Sequence, residues 1–273
     1  MHNPLKQYFR RPAIHFKLPS QGKFYTEGSI EMPETGEVPV FPMTAIDEIT
    51  SKTPDALYNG SAIVDIIKSC VPAIKDPWQI PSIDIDPIMI AIRTATVGNE
   101  MEIESICPSC ENDGKYGVNL LKLLTTLKSG NYEGTLDIGD LKIKFQPLSY
   151  KVLNQSNIVQ FEIQAEINNL NNITDENERV KKSGPTLKRL TLATFDLMAN
   201  GIASISTPNE VITNKEYILE YITNVDKATF ETIRDFGIGL RQQSEIKPID
   251  IKCVNCNHEY TQPISLNITD FFG

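Results

Sequence analysis

No stretch of this 273-residue chain approaches the roughly 18–20 consecutive apolar residues of a membrane-spanning helix, so no transmembrane segment is expected. The start, Met1 to Tyr8, has neither an apolar core nor a small-residue cleavage site, which argues against export. Histidine is scarce. His2, His15 and His258 lie near the ends or beside a cysteine pair, and none has an evident serine or cysteine nucleophile as partner. A phosphate-binding glycine loop is missing too: Gly237-Ile238-Gly239 falls in a helical pattern without a third glycine or a preceding strand. Basic charge is in deficit, with 26 basic against 35 acidic residues and a net charge of −9. A field of that sign repels phosphate backbones and disfavours nucleic-acid binding. Acidic pairs such as Asp84 and Asp86 read as helix caps before they read as catalytic carboxylates. These absences leave no constellation for an enzyme and no site for a small-molecule substrate.

What remains is an ordinary globular composition, 40% hydrophobic and 22% charged, in a chain long enough for one large or two modest domains. Residues 12–43 are rich in Pro and Gly and read as extended segments and turns with one irregular hairpin. Helices are expected from Thr44 onward. Ser61 fits an N-cap, and Ile63, Ile66, Ile67, Cys70 and Val71 form one apolar face that ends at Pro72. Cys70 on that face reads as a core residue. Asp86-Pro87 is expected to start a second helix whose body, Ile88 to Ala95, is apolar on nearly all sides and therefore central.

Asp137-Ile138-Gly139-Asp140 separates two alternating runs, Tyr132–Leu136 and Leu141–Phe145, a hairpin signal. The middle, from about Ser149 to Ser244, reads as helical. One helix carries Ile158, Phe161, Ala165 and Ile167, another Leu187, Leu190, Leu197 and Met198. A third is capped by Asp226 and carries Phe230, Ile233 and Leu240. The Asn-rich stretch 168–177, the charged 178–182 and Ser183-Gly184-Pro185 read as a loop, as do residues 200–214.

Four of the five cysteines stand in two pairs, Cys107-Pro-Ser-Cys110 and Cys253-Val-Asn-Cys256, separated by more than half of the chain. The two segments share one plan: a charged alternating strand, Cys-x-x-Cys, a polar turn, an apolar-x-Leu step and a short apolar helix start. The steps are Val118-Asn119-Leu120 and Ile264-Ser265-Leu266, and the second helix start is Ile268 to Phe272. Two such knuckles are the makings of a closed tetrahedral site with Cys107, Cys110, Cys253 and Cys256 as ligands. A redox reading would want Cys-x-x-Cys opening a helix, where the thiol pKa falls. Turns follow both pairs here, so metal is favoured. Zinc suits a static site best, although a four-thiolate iron centre uses the same ligand types. His258 reads as an exposed turn residue or a donor behind the ligands rather than as a ligand. Four protein ligands leave no open position for water, so the ion is expected to be structural.

The expected fold class is α+β, mainly helical with short β-hairpins and a two-knuckle, zinc-ribbon-like module formed from residues distant in sequence. The expected division is an N-terminal arm and irregular β segment over 1–43, then a helical region over 44–129 joined by the second knuckle, 246–273. Residues 130–245 are then an insertion.

A family resemblance rests on many short runs. Leu18-Pro19-Ser20-x-Gly22-x-x-Tyr25 comes first, followed by Phe41-Pro42-Met43-Thr44, Thr53-Pro54-Asp55-Ala56-Leu57 and Asn59-Gly60. Then come Ser69-Cys70-Val71-Pro72, Lys75-Asp76-Pro77-Trp78, Pro81-Ser82-Ile83-Asp84 and Ala91-Ile92-Arg93-Thr94-Ala95-Thr96-x-Gly98, just ahead of the first cysteine pair. Together they resemble the T-even-type baseplate hub proteins of contractile-tailed bacteriophages, most densely over residues 18–120. The resemblance implies a non-enzymatic structural protein, a hub component or hub assembly factor. Its partners would be other baseplate and hub proteins. It would be found in the host cytoplasm during assembly and, as a hub component rather than an assembly factor, also in the virion tail baseplate. Two segments are expected to meet partners: residues 72–82 around Trp78, and the acid-free stretch Lys6 to Lys17, which interleaves Tyr8, Phe9 and Phe16 with Arg10 and Arg11. The alternative function is a zinc-ribbon nucleic-acid-binding protein. Against it, the first knuckle carries Glu102, Glu104, Glu111 and Asp113 beside Lys115 alone.

Overall fold

The computed structural model describes residues 4–54, 58–171 and 175–264. The architecture is α+β, with helices and short antiparallel strand pairs, as the sequence implied. Its residues fall into two compact units. The first holds the described residues up to Pro77, Ile83–Lys128 and those from Ser244 onward; the second holds Trp78–Ser82 and Ser129–Gln243. Among the described residues no helix is long and apolar enough to cross a membrane.

In the first unit, β1 (Ile14–Phe16) pairs antiparallel with β2 (Val38–Val40), Ile14 facing Val40. The loop between them turns tightly at Gly22, whose φ of +79° favours glycine and where an added Cβ would lie 2.7 Å from Met32 Cγ. Helix α1 (Ala45–Ser51) starts with a capping box between Thr44 and Asp47. Its polarity is reversed: Asp47 and Ser51 are buried, while Ile46 and Ile49 are exposed. The Asp47 carboxylate is buried because it receives Arg10 Nη1 at 3.3 Å and Ser69 Oγ at 3.0 Å. Arg10 also donates to the carbonyls of Pro42 and of Ser69.

Helix α2 (Ser61–Cys70) differs from expectation at its start. Gly60 occupies the N-cap and Ser61 is the first helical residue, its N–H held by Asn59 Oδ1 at 2.9 Å. Ala62, Val64, Ile66, Ile67 and Cys70 are buried and Ile63 only half so, because the buried arc is wider than the i, i+3, i+4 stripe. Helix α3 (Ser82–Val97) begins a turn before the expected Asp86-Pro87 start, leaving Pro87 inside it. Pro87 lacks only the N–H that would reach the Ile83 carbonyl, and the wholly buried Ile88, Ile90, Ala91 and Ile92 hold the helix in the core. Asp84 is not a cap. It is fully buried, and its role is described below. Strands β3 (Glu100–Ile106) and β4 (Asp113–Asn119) then pair antiparallel, and Asn119 caps α4 (Leu120–Thr126).

The second unit is built on a four-stranded antiparallel sheet in the order β5-β6-β7-β8. Strands β5 (Thr135–Ile138) and β6 (Leu141–Phe145) meet in a two-residue turn at Gly139-Asp140, where Gly139 takes φ +56°. Helices α5 (Tyr150–Asn171) and α6 (Glu176–Gly201) pack as a pair. Helix α6 runs straight through the segment 178–185 expected to be a loop, Gly184 and Pro185 included. Arg189 of α6 reaches Glu162 of α5 at 3.1 Å and also Glu166, which Thr186 Oγ1 meets at 3.2 Å. These cross-links and the packing of the pair override the local breakers. Tyr150 and Ile163 of α5 are buried, whereas Phe161, part of the expected face, is exposed.

The other expected loop, 200–214, instead supplies β7 (Ile202–Ser206) and β8 (Val211–Ile212). Its Ser and Thr residues read as loop, but Ile202 and Ile205 are buried and the strand pairs with β6. Helix α7 (Lys215–Asn224), capped by Asn214, adds a further helix to the middle that the sequence reads as helical. Lys215 Nζ bonds the carbonyls of Ala199, at 3.3 Å, and Ile202. Helix α8 (Lys227–Ser244) is capped by Asp226 as expected, with Ile233 and Leu240 buried. Trp78 stacks on Tyr150 within this unit, ring centroids 5.5 Å apart.

The chain then returns to the first unit with β9 (Ile249–Lys252) and β10 (Glu259–Gln262), an antiparallel pair. The expected Ile264-Ser265-Leu266 step and the helix start to Phe272 lie outside the described residues from Ser265 onward.

Candidate metal centre

Both cysteine pairs sit in the turn of a β-hairpin, and the two turns are built alike. The β3–β4 ladder ends at Ile106 facing Asp113, the β9–β10 ladder at Lys252 facing Glu259. In the first turn the Cys107 N–H donates to the Asn112 carbonyl at 3.0 Å, and the Glu111 N–H donates to the Cys107 carbonyl at 2.9 Å. In the second, Cys253 N–H donates to the His258 carbonyl and Asn257 N–H to the Cys253 carbonyl, both at 2.9 Å. The residue after each second cysteine is left-handed, Glu111 at φ +56° and Asn257 at φ +58°. Asn tolerates that region better than Glu. Neither pair opens a helix.

The four sulfurs lie within 4.8 Å of one another, and the cluster could hold a metal ion. Cys107 Sγ is 3.7 Å from Cys256 Sγ, and Cys110 Sγ is 3.6 Å from Cys253 Sγ. A tetrahedron with metal–sulfur bonds of about 2.3 Å has edges of about 3.8 Å, so these separations fit one ion. They are far beyond the roughly 2.05 Å of a disulfide, and all five cysteines are free. Cys107 and Cys253, the first of each pair, are buried, Cys110 is half-buried and Cys256 exposed.

The backbone prepares the sulfurs for negative charge. The Cys253 thiol is drawn down to about 6, first by the Cys256 N–H and also by the Asn255 N–H, with burial opposing. Cys110 is lowered as well, chiefly by the Asn112 N–H and next by the Asn255 side chain. That amide lies 3.6 Å from Cys110 Sγ and reaches it from the other knuckle. Cys256 moves the other way, up to about 11: the His258 N–H lowers it, but the neighbouring sulfurs and burial outweigh that. Four crowded thiols cannot all ionise together unless a cation compensates them, and the thiolate is the form that binds metal. Two Cys-x-x-Cys turns with N–H groups aimed at the sulfurs fit a divalent ion with a preference for soft ligands. The donor set is closed, which suits a structural ion and leaves no position for a reacting water.

Two hairpins are also tied beside the sulfurs. Ser105 Oγ donates to Gln262 Oε1 at 2.8 Å, and Tyr260 Oη donates to Ser105 Oγ at 3.1 Å. Sequence reasoning passed over Ser105; its one signal was a polar residue at an inward position of an alternating strand. His258 is exposed and stacks on Tyr260 at 6.2 Å; its carbonyl, not its ring, serves the knuckle. Cys70 is buried apart from the cluster, 3.7 Å from Arg10 Nη1. Around the knuckles two exposed opposite pairs form, Lys115 with Glu104 at 3.5 Å and Lys252 with Glu259 at 4.0 Å. Both lysines of the four hairpin strands thus stand opposite a carboxylate.

Besides Asp47, a second carboxylate, Asp84, is buried. Its carboxylate accepts from Ser20 N at 2.9 Å, from Ser20 Oγ, and from Tyr25 Oη at 3.1 Å. Wholly enclosed, it anchors the turn-rich loop to α3 and offers no access to a substrate.

A family model described as T4 bacteriophage base plate protein matches residues 12–273. No curated protein and no solved structure matches the chain.

Proposed function

The chain belongs to the T4 bacteriophage base plate protein family, and from that premise we propose that it is a non-enzymatic hub component or hub assembly factor of a contractile tail. Cys107, Cys110, Cys253 and Cys256 hold one structural zinc ion in this reading. It works in the host cytoplasm during assembly, bound to other baseplate and hub proteins, and as a hub component it would take its place in the tail baseplate. The observation that carries the role is the family match over nearly the whole chain. The geometry that supports the metal is the gathering of four sulfurs from two matched turns.

The zinc acts as a clamp. Residues 44–129 and 246–273 form one body closed by the ion, residues 1–43 are its arm, and residues 130–245 are an insertion held as a closed loop. Structural zinc contributes on the order of 10–16 kcal/mol in small peptides, against a domain stability of about 5–15 kcal/mol. An ion of that strength would decide whether the second knuckle stays docked. Acidic flanks at the knuckles speak against the nucleic-acid alternative.

Two measurements test this. Mass spectrometry of purified baseplates and hub intermediates should find the chain in at least one of them. Baseplates that assemble normally when its gene is deleted would overturn the role. Metal analysis of natively purified protein should give one zinc per chain; absence of metal, or a coloured ferric thiolate centre, would overturn the zinc assignment.

A further inference from the structure

An amphipathic helix ordinarily turns its apolar face inward. Helix α1 does the reverse. Its inward residue Asp47 is fixed by Thr44 N at 2.7 Å, Thr44 Oγ1 at 2.8 Å and Ser69 Oγ at 3.0 Å, in addition to Arg10. Ile46 and Ile49, one turn apart, are left 75% and 70% exposed. The same Arg10 anchors the segment before it. Its Nη2 donates to Ser69 O at 2.8 Å and Ser69 Oγ at 2.7 Å, and its guanidinium lies over Phe41. Tyr8 and Phe9, immediately ahead of this anchor, are 78% and 58% exposed. Two aromatic and two aliphatic side chains thus stand in water on either side of one partly buried ion pair.

The rim has a definite sign. Asp47 is neutralised by Arg10, and Glu48 by Lys52 at 3.1 Å. From Pro4 to Lys17 the chain carries no acid, and Arg11, next to the anchor, is exposed. A second copy of this chain would bring the same positive rim against itself, which like-charge repulsion disfavours. The complement is an apolar groove edged by carboxylates. We propose that the outer face of α1, with Tyr8 and Phe9, docks a different baseplate protein that presents an acid-rimmed apolar groove. The identity of the partner as a baseplate protein rests on the function proposed above; the surface and its chemistry do not.

The test uses the full-length chain, immobilised and titrated with each of the phage's other baseplate proteins expressed singly. One acidic protein is expected to bind. Ile46→Asp with Ile49→Asp should weaken it at least about tenfold, or roughly 1.4 kcal/mol. Arg11→Glu should also weaken it and flatten its salt dependence. All three residues are exposed, so the thermal midpoint should not move. Should the helix variants lower that midpoint, Tyr8→Ala with Phe9→Ala, outside any α-helix, must give the same loss. Unchanged affinity in either set, or binding to none of the proteins, overturns the proposal. So does an isoleucine-dependent dimer in light scattering, or isoleucine-dependent binding to phosphatidylserine vesicles. If the parent chain is absent from baseplates and intermediates, the functional reading fails, and binary binding alone decides the surface. If the parent is present and the isoleucine variant is incorporated equally well, this inference fails and the role stands.

Discussion

Asp84 and Ser20, 64 positions apart, are joined twice: the Asp84 carboxylate accepts from the Ser20 amide at 2.9 Å and from the Ser20 hydroxyl. Tyr25 supplies a third donor at 3.1 Å. Asp84→Ala would strand these buried donors, and the expected loss is about 3 kcal/mol in urea denaturation. Burial pushes the Asp84 carboxyl up to about 6 from the ordinary 3.8, and the Ser20 and Tyr25 donors only partly offset it. The folded state therefore holds this proton more tightly than the unfolded chain does. Stability from this group is full below about pH 4, is lost as pH rises to about 6, and is flat above. Asp84→Asn keeps the shape without the charge, so that slope should vanish from its pH profile; an unchanged slope would assign it elsewhere.

Arg10 should be intolerant even of lysine. Its fork serves the Pro42 and Ser69 carbonyls, Ser69 Oγ and Asp47 at once. One ammonium cannot reproduce that geometry. Arg10→Ala is expected to cost about 3 kcal/mol because it leaves Asp47 uncompensated. Arg10→Lys should recover less than half of that in chemical denaturation.

Helix α6 carries two removable defects. Pro185 lacks the N–H that would reach the Lys181 carbonyl, and a Cβ at Gly184 would meet nothing within 4 Å. Replacing both by alanine should stabilise the protein by about 2–4 kcal/mol and raise its helical circular dichroism. A loop at this position would show neither gain.

The clamp should be specific to sulfur. Cys253→Ser is expected to abolish zinc binding and to lower stability by on the order of 5 kcal/mol. Val254→Ser, at a side chain 74% exposed, should do neither. Stripping zinc with a chelator should speed amide exchange in β9 and β10 of the parent. Equal exchange with and without chelator would argue that the hairpins dock without metal.

Much of the local structure was legible because local physics sets it. Asp226 caps α8 because its carboxylate reaches the N–H of Thr229. Gly139 turns β5 into β6 because a left-handed position favours it. Errors arose where tertiary contacts outweighed such signals. Gly184-Pro185 reads as a stop, yet α6 is braced by Arg189 across to α5. Residues 202–206 read as polar loop, yet Ile202 and Ile205 fill the core while β7 pairs with β6. Asp84 reads as a cap, yet it is the acceptor for a loop that precedes it by 64 positions.

The chain's own order of residues determined its α+β class, its two matched Cys-x-x-Cys turns and its likeness to baseplate proteins. Each of these depends on spacings of a few residues or on short runs that can be compared directly. The matched turns already implied that Cys107, Cys110, Cys253 and Cys256 meet, and the tertiary structure brings their sulfurs within 4.8 Å of one another. The tertiary structure alone set Asp47 inward on α1 and left Ile46 and Ile49 in water. That inversion turns on Arg10 and Ser69, distant donors that meet the Asp47 carboxylate, and residue spacing carries no record of that pairing. It is settled when the packed chain leaves each buried charge one place to find a partner.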